Sequence, residues 1–204
     1  MNRLSLLITA SLAVACSDVE DSHDDHHGHD HEHEMITTVR LSFTDSTGAV
    51  TEADFYDPMD GTNPTADAIV LALDETYTLD VSFWNEFEDP AEDIPPEINA
   101  EAEEHQVFVY GSGVSSAATE DNPDALIEVT YLDTDEAGLD LGLENDVVPV
   151  LSGTATLSVL LRHMPTENGE SVKTESLASD FIEGGASALP GATDVDVDFD
   201  LTVE

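Results

Sequence analysis

From Asp194 to Val203 the chain reads DVDVDFDLTV, and Val195, Val197, Phe199, Leu201 and Val203 alternate without a break with Asp194, Asp196, Asp198, Asp200 and Thr202. A period of two sends alternate side chains to opposite faces, so this run predicts a β-strand with one buried and one solvated face. The same rhythm occurs upstream. Val39, Leu41 and Phe43 share one face of a first strand, with Arg40 and Ser42 on the other, and the Thr47-Gly48 turn signal lets residues 49–56 return as a hairpin. Ile69, Leu71 and Leu73 alternate in the next strand, and Tyr77, Leu79, Val81 and Phe83 in the one after it. Strand character returns at 105–110, 125–132, 147–151 and 154–164. The stretch 57–64, DPMDGTNP, and the long connection 165–193 are rich in turn formers. Residues 85–104 hold nine acids and three prolines; Pro96 suits a first helical position, and 97–104 predicts two helical turns. No repeat of fixed period occurs. The expectation for residues 35–204 is an all-β domain: a single antiparallel immunoglobulin-like β-sandwich of eight or nine strands with at most one short helix.

Residues 1–15, MNRLSLLITASLAVA, place one cation, Arg3, before an apolar run that ends in small residues, which is the pattern of a cleaved signal peptide. Cys16, the chain's single cysteine, follows at once. Leu-Ala-Val-Ala-Cys resembles a bacterial lipobox, and the resemblance implies cleavage before Cys16 and lipidation of its thiol. Ser17 in the next position, where aspartate would signal retention in the inner membrane, implies an outer-membrane lipoprotein, periplasmic or surface-facing. One cysteine excludes any disulfide within the chain, so apolar burial has to hold the fold.

Between leader and first strand, residues 16–34 carry six of the chain's eight histidines. His23, His26, His27, His29, His31 and His33 are interleaved with Asp24, Asp25, Asp30, Glu32 and Glu34. A tract with so few apolar side chains cannot offset the entropy of ordering its backbone, and it is expected to be a disordered tether. Neutral imidazole is the commonest side-chain metal ligand. This spacing suits Zn²⁺ first, with Cu²⁺ or Ni²⁺ as alternatives. The competing reading is a polar spacer with incidental histidines. The two remaining histidines lie within strands: His105 shares parity with Val107 and Val109, and His163 with Leu157, Val159 and Leu161. They are candidates for a second metal site with Glu103 or Glu104, or else two hydrogen-bonded imidazoles at the margin of the core.

The chain holds 46 acids against four cations, a formal charge of −42. Nucleic acid and anionic headgroups are therefore poor partners, and the membrane is reached through the lipid anchor only; metal ions, an outer-membrane receptor or a basic protein remain. An acidic surface also serves solubility in salt. The stretches Asp54 to Gly61 and Asp133 to Asp140 have oxygen-rich spacing open to Ca²⁺, although neither matches an EF-hand loop and turn chemistry explains both. The aspartate row of the last strand is read as a solvated face. No catalytic signature is present: Tyr110-Gly111-Ser112-Gly113 is not a nucleophile elbow, and no phosphate-cradling glycine loop occurs. Copper-zinc superoxide dismutase, whose periplasmic forms combine an Ig-like barrel with a His-rich extension, needs about six histidines within the fold and a disulfide, whereas only His105 and His163 lie beyond residue 34. The chain is read as a binding protein and not an enzyme.

Taken together, the lipobox, the acidic His-rich tract, the strand ITTVRLSF, Asp57-Pro58, the run Glu88 to Ile94, Ala102-Glu103-Glu104-His105-Gln106, Tyr131 to Asp135 and Leu160-Leu161-Arg162-His163-Met164-Pro165 resemble a family of small His-rich bacterial envelope lipoproteins. Many of its members carry the label type 1 periplasmic binding fold. The resemblance implies solute binding in the envelope. The two-domain α/β architecture of that label does not follow, because no βαβ rhythm is present. Two functions are carried forward: capture or hand-over of a transition metal, and an acidic structural or interaction lipoprotein that binds a basic protein or a cell-wall component.

Overall fold

The computed structural model describes residues 35–204; the leader, Cys16 and the histidine tract lie outside the described residues. In chain order the elements are β1 (Thr38–Asp45), β2 (Val50–Tyr56), β3 (Thr65–Ala66), β4 (Ile69–Leu71), β5 (Tyr77–Asn85), β6 (Glu92–Asp93), α1 (Pro95–Ala100), β7 (His105–Tyr110), β8 (Val114–Ser115), β9 (Ile127–Tyr131), β10 (Glu144–Pro149), β11 (Gly153–His163), α2 (Leu177–Gly184), a 3₁₀ turn (Gly185–Ala188) and β12 (Ala192–Val203). They build two sheets. The larger runs β3-β2-β1-β5-β10-β9-β8, with β6 added to β5, and the smaller runs β4-β12-β11-β7.

The alternation seen in the sequence becomes the shared core. Val39, Leu41 and Phe43 of β1 and Leu79, Val81 and Phe83 of β5 are at most 2% exposed. They belong to one apolar cluster with Val107, Val109, Leu157, Val159, Leu161, Phe199 and Leu201 of the smaller sheet. The β1–β2 hairpin is antiparallel about the Thr47-Gly48 turn, where the Asp45 carboxylate accepts from the N–H groups of Thr47 and Ala49.

Three expectations are corrected. The sheets are mixed: β4 pairs parallel with β12, and β8 parallel with β9. Such pairs form between segments joined by long excursions, which period-two patterning does not register. There are twelve strands among the described residues, because pairings of two or three residues add to those long enough to show a rhythm. There are also two α-helices. α1 begins at Pro95, with proline at its first positions, and ends at Ala100, so residues 101–104 form turns and not the second helical turn expected there.

The second helix changes the architecture. α2 lies in the connection read as turns, with Leu177 and Phe181 one turn apart on its buried face, and it ends at Gly185, whose φ of 64° is left-handed. A separate apolar cluster joins these two residues to Leu189, Met164, Phe108 and Leu160. Phe108 and Leu160 sit on the face of the smaller sheet opposite the shared core, so α2 and the 3₁₀ turn form a third layer over β7 and β11. Those strands are buried on both faces. Arg162 fastens the layer: its guanidinium donates to the carbonyls of Leu189, Pro190 and Gly191 and to Thr193 Oγ1, at 2.7–2.8 Å. The aspartate row of β12 remains on the uncovered part of this face, where Asp196 accepts from Tyr110 and Asp198 from Ser158.

Candidate metal centre

Antiparallel pairing of β7 with β11 sets the first residue of one, His105, opposite the last residue of the other, His163. Both side chains follow the parity of the core residues next to them, so the two imidazoles end the apolar rows of Val107–Val109 and Leu157–Leu161. Their rings stack with centroids 4.5 Å apart and planes 7° from parallel. His105 is 1% exposed and His163 9%. The chain turns just before β7, where the Glu104 N–H donates to the Glu101 carbonyl, and Glu101 and Glu104 come close to the pair. Gly191 (φ 77°) passes so close to the end of β11 that a Cβ there would collide with the His163 carbonyl oxygen.

His105 Nδ1 lies 3.1 Å from the Glu101 carbonyl oxygen. A carbonyl only accepts, so Nδ1 carries the proton and Nε2 keeps the lone pair. A backbone carbonyl that fixes the tautomer in this way is a common second partner of metal-ligating histidines. Burial lowers the proton affinity of His105 and the neighbouring His163 acts in the same direction, while the Glu101 carbonyl and the charges of Asp194 and Glu101 oppose them; the net shift is downward. The ring is therefore neutral at pH 7, the form a metal requires.

Glu101, His105 and His163 each offer a ligand atom within 4.8 Å of the others. Glu104 Oε2 lies 3.7 Å from His163 Nε2. The residues thus suit a divalent ion of the zinc type, with two imidazoles and a carboxylate, Glu104 in reserve, and a position left for water. A bound ion of this type would be held by His105, His163 and Glu101 and would supply Lewis-acid character there.

Of the residues expected at this second site, the structure brings together His105, His163 and Glu104. Glu103 stays exposed; its carbonyl accepts from Ser171 Oγ, and its carboxylate is not in the convergent group. Glu101 was missed, although its spacing of four residues before His105, in a stretch with helical character, signals proximity. The histidine tract from His23 to His33, with Asp24, Asp25, Asp30, Glu32 and Glu34, lies outside the described residues, as does Cys16. In the two acidic loops five aspartates accept hydrogen bonds from their own surroundings. Asp54 holds Arg40 in a two-bond pair at 2.8 Å, and Asp57 and Asp60 accept from the N–H groups of Met59 and Thr62. Asp133 accepts from Gly142 and Leu143, and Asp135 from Ala137 and Leu139.

Comparison with protein-family models, curated proteins and solved structures found no match in any of the three.

Proposed function

We propose that this chain is a cell-envelope lipoprotein that binds transition-metal ions, zinc foremost, collecting them on the residue 16–34 tract and holding one at Glu101, His105 and His163. The observation that carries the reading is the convergence of two buried imidazoles and a carboxylate, one tautomer already fixed, at the end of a β-sheet core. Six further histidines in one short tract supply the gathering ligands. The proposal includes a lipid anchor at Cys16 in the outer membrane, hand-over of the ion to an envelope partner such as a receptor, and no catalysis. The two-sheet domain is read within it as immunoglobulin-like, an interpretation supported by the face-to-face sheets and the β1–β2 hairpin. Zinc titration followed by elemental analysis tests it. Exchange of the six tract histidines for Asn removes most of the capacity, and His105→Asn with His163→Asn removes the last tightly held ion. Failure to bind zinc, copper or nickel below millimolar concentration overturns the proposal.

A second reading, an acidic interaction protein, has its own support. All three cations of the described residues are engaged internally: Arg40 with Asp54, Arg162 with four oxygens, Lys173 with Asp135 and the Ala102 carbonyl. The acidic surface is left to a basic partner. If the tract variant captures the same envelope protein as the parent chain, this reading displaces the first.

A further inference from the structure

A cleft of about 290 Å³ opens where the β9–β10 connection faces the start of α2. Its walls are Ala137, Gly138, Leu139 and Asp140 on one side and Thr174, Glu175, Leu177 and Ala178 on the other, and Gln106 of β7 lies between them. Gln106 points to the outer side of its sheet, away from the histidine pair, and is 4% exposed. Its carboxamide has no hydrogen-bond partner among the described residues. The amide atoms are not sealed in and so open onto the cleft, where they offer two donors and an acceptor to a ligand in place of water.

The walls are fixed in advance. Asp135 gathers the N–H groups of Ala137 and Leu139, which sets the loop, and the Lys173 ammonium reaches Asp135 at 3.2 Å and so ties the two walls together. Asp140 and Glu175 supply carboxylates from the two segments that line the cleft; the Lys173 hydrogen bonds go to Asp135 and the Ala102 carbonyl, and its charge reaches Asp140 only through space. Burial, helped by Asp133 and Asp135, raises the Asp140 carboxyl above its usual value although Lys173 pulls the other way, so a further cation beside it is favoured. The cleft's acids form no group of three convergent ligand atoms among the described residues, so a compact metal ion is a poor fit. Leu139, Leu177 and Ala178 contribute apolar atoms to the same lining.

We propose that this cleft binds an extended alkylammonium, a linear diamine or polyamine, with ammonium groups at Asp140 and Glu175, a hydrogen bond to Gln106 and methylenes against Leu139 and Leu177. The inference does not depend on the metal site. Protein stripped of metal and titrated calorimetrically with 1,5-diaminopentane in about 0.5 M salt, where diffuse attraction is screened, should show saturable one-to-one binding. Asp140→Asn should weaken it about tenfold, as loss of a charge-assisted contact does, and Glu175→Gln should weaken it in the same sense. Asp74→Asn, an exposed change of the same charge, should leave it unaltered. Because Glu175 is exposed, its variant keeps the test valid if Asp140→Asn fails to fold. Non-saturable binding, or equal weakening by Asp74→Asn, overturns the proposal. Tighter binding of N-acetyl-lysine amide than of the diamine also overturns it, because the ligand is then a protein's lysine side chain.

Discussion

His105 meets two demands that normally conflict, since a buried imidazole must be neutral and must still satisfy its N–H. The Glu101 carbonyl settles the second, and burial, reinforced by His163, settles the first. Because the folded-state pKa is depressed, the unfolded chain binds more protons below the reference value of about 6.5. Stability of the metal-free protein is therefore fully present above that value and declines as pH falls toward the folded-state pKa. Denaturant midpoints measured from pH 7.5 to pH 5 should show the decline, and His105→Asn should flatten it. Lys173 poses a sharper case, with its side chain fully buried against Asp135, itself only 2% exposed. Burial works to raise the Asp135 carboxyl, yet the Leu139 N–H and Lys173 outweigh it and hold the group below its usual value. Lys173→Met strands that carboxylate, at a cost of about 3 kcal/mol that chemical denaturation would register.

Among the elements, α2 has the clearest separable contribution. Phe181 stacks on Phe108 at a centroid distance of 5.0 Å and meets Tyr110 edge-on at the same distance. Phe181→Ala should cost about 3 kcal/mol and release the third layer, with hydrogen exchange accelerating in 165–191 and in β7 while β1 and β5 stay protected. A uniform loss of protection would show that the layer does not open separately. The signal for this layer was present in the sequence. Val159-Leu160-Leu161 and Val107-Phe108-Val109 are unbroken apolar runs, as expected of strands covered on both sides, while the strictly alternating β12 keeps an open face.

For the whole molecule the dominant fact is a formal charge of −42. Self-repulsion of that size penalises the compact state, and raising salt from about 0.1 M to about 1 M shortens the screening length from about 10 Å to about 3 Å. The thermal midpoint should rise over that interval, and a flat or falling midpoint would mean that the acids are already compensated. Zinc should raise it further, and chelation should reverse the rise, if the folded state alone presents the His105–His163 pair. Among the described residues no helix is long and apolar enough to cross a membrane. In the proposed function attachment rests on Cys16, and Cys16→Ser should abolish incorporation of labelled palmitate.

What the sequence determined by itself was local: which segments are extended, which of their faces are apolar, and that His105 and His163 each lie on the core side of a strand. Periodicity carries that information because side-chain direction along a strand depends only on the backbone's own repeat. Tertiary structure alone decided that the two histidines are directly opposed, that Glu101 and Glu104 approach them while Glu103 turns outward, and that a helix covers the second sheet. Those outcomes depend on register between strands far apart in the chain and on how a turn closes, which no single segment's pattern encodes.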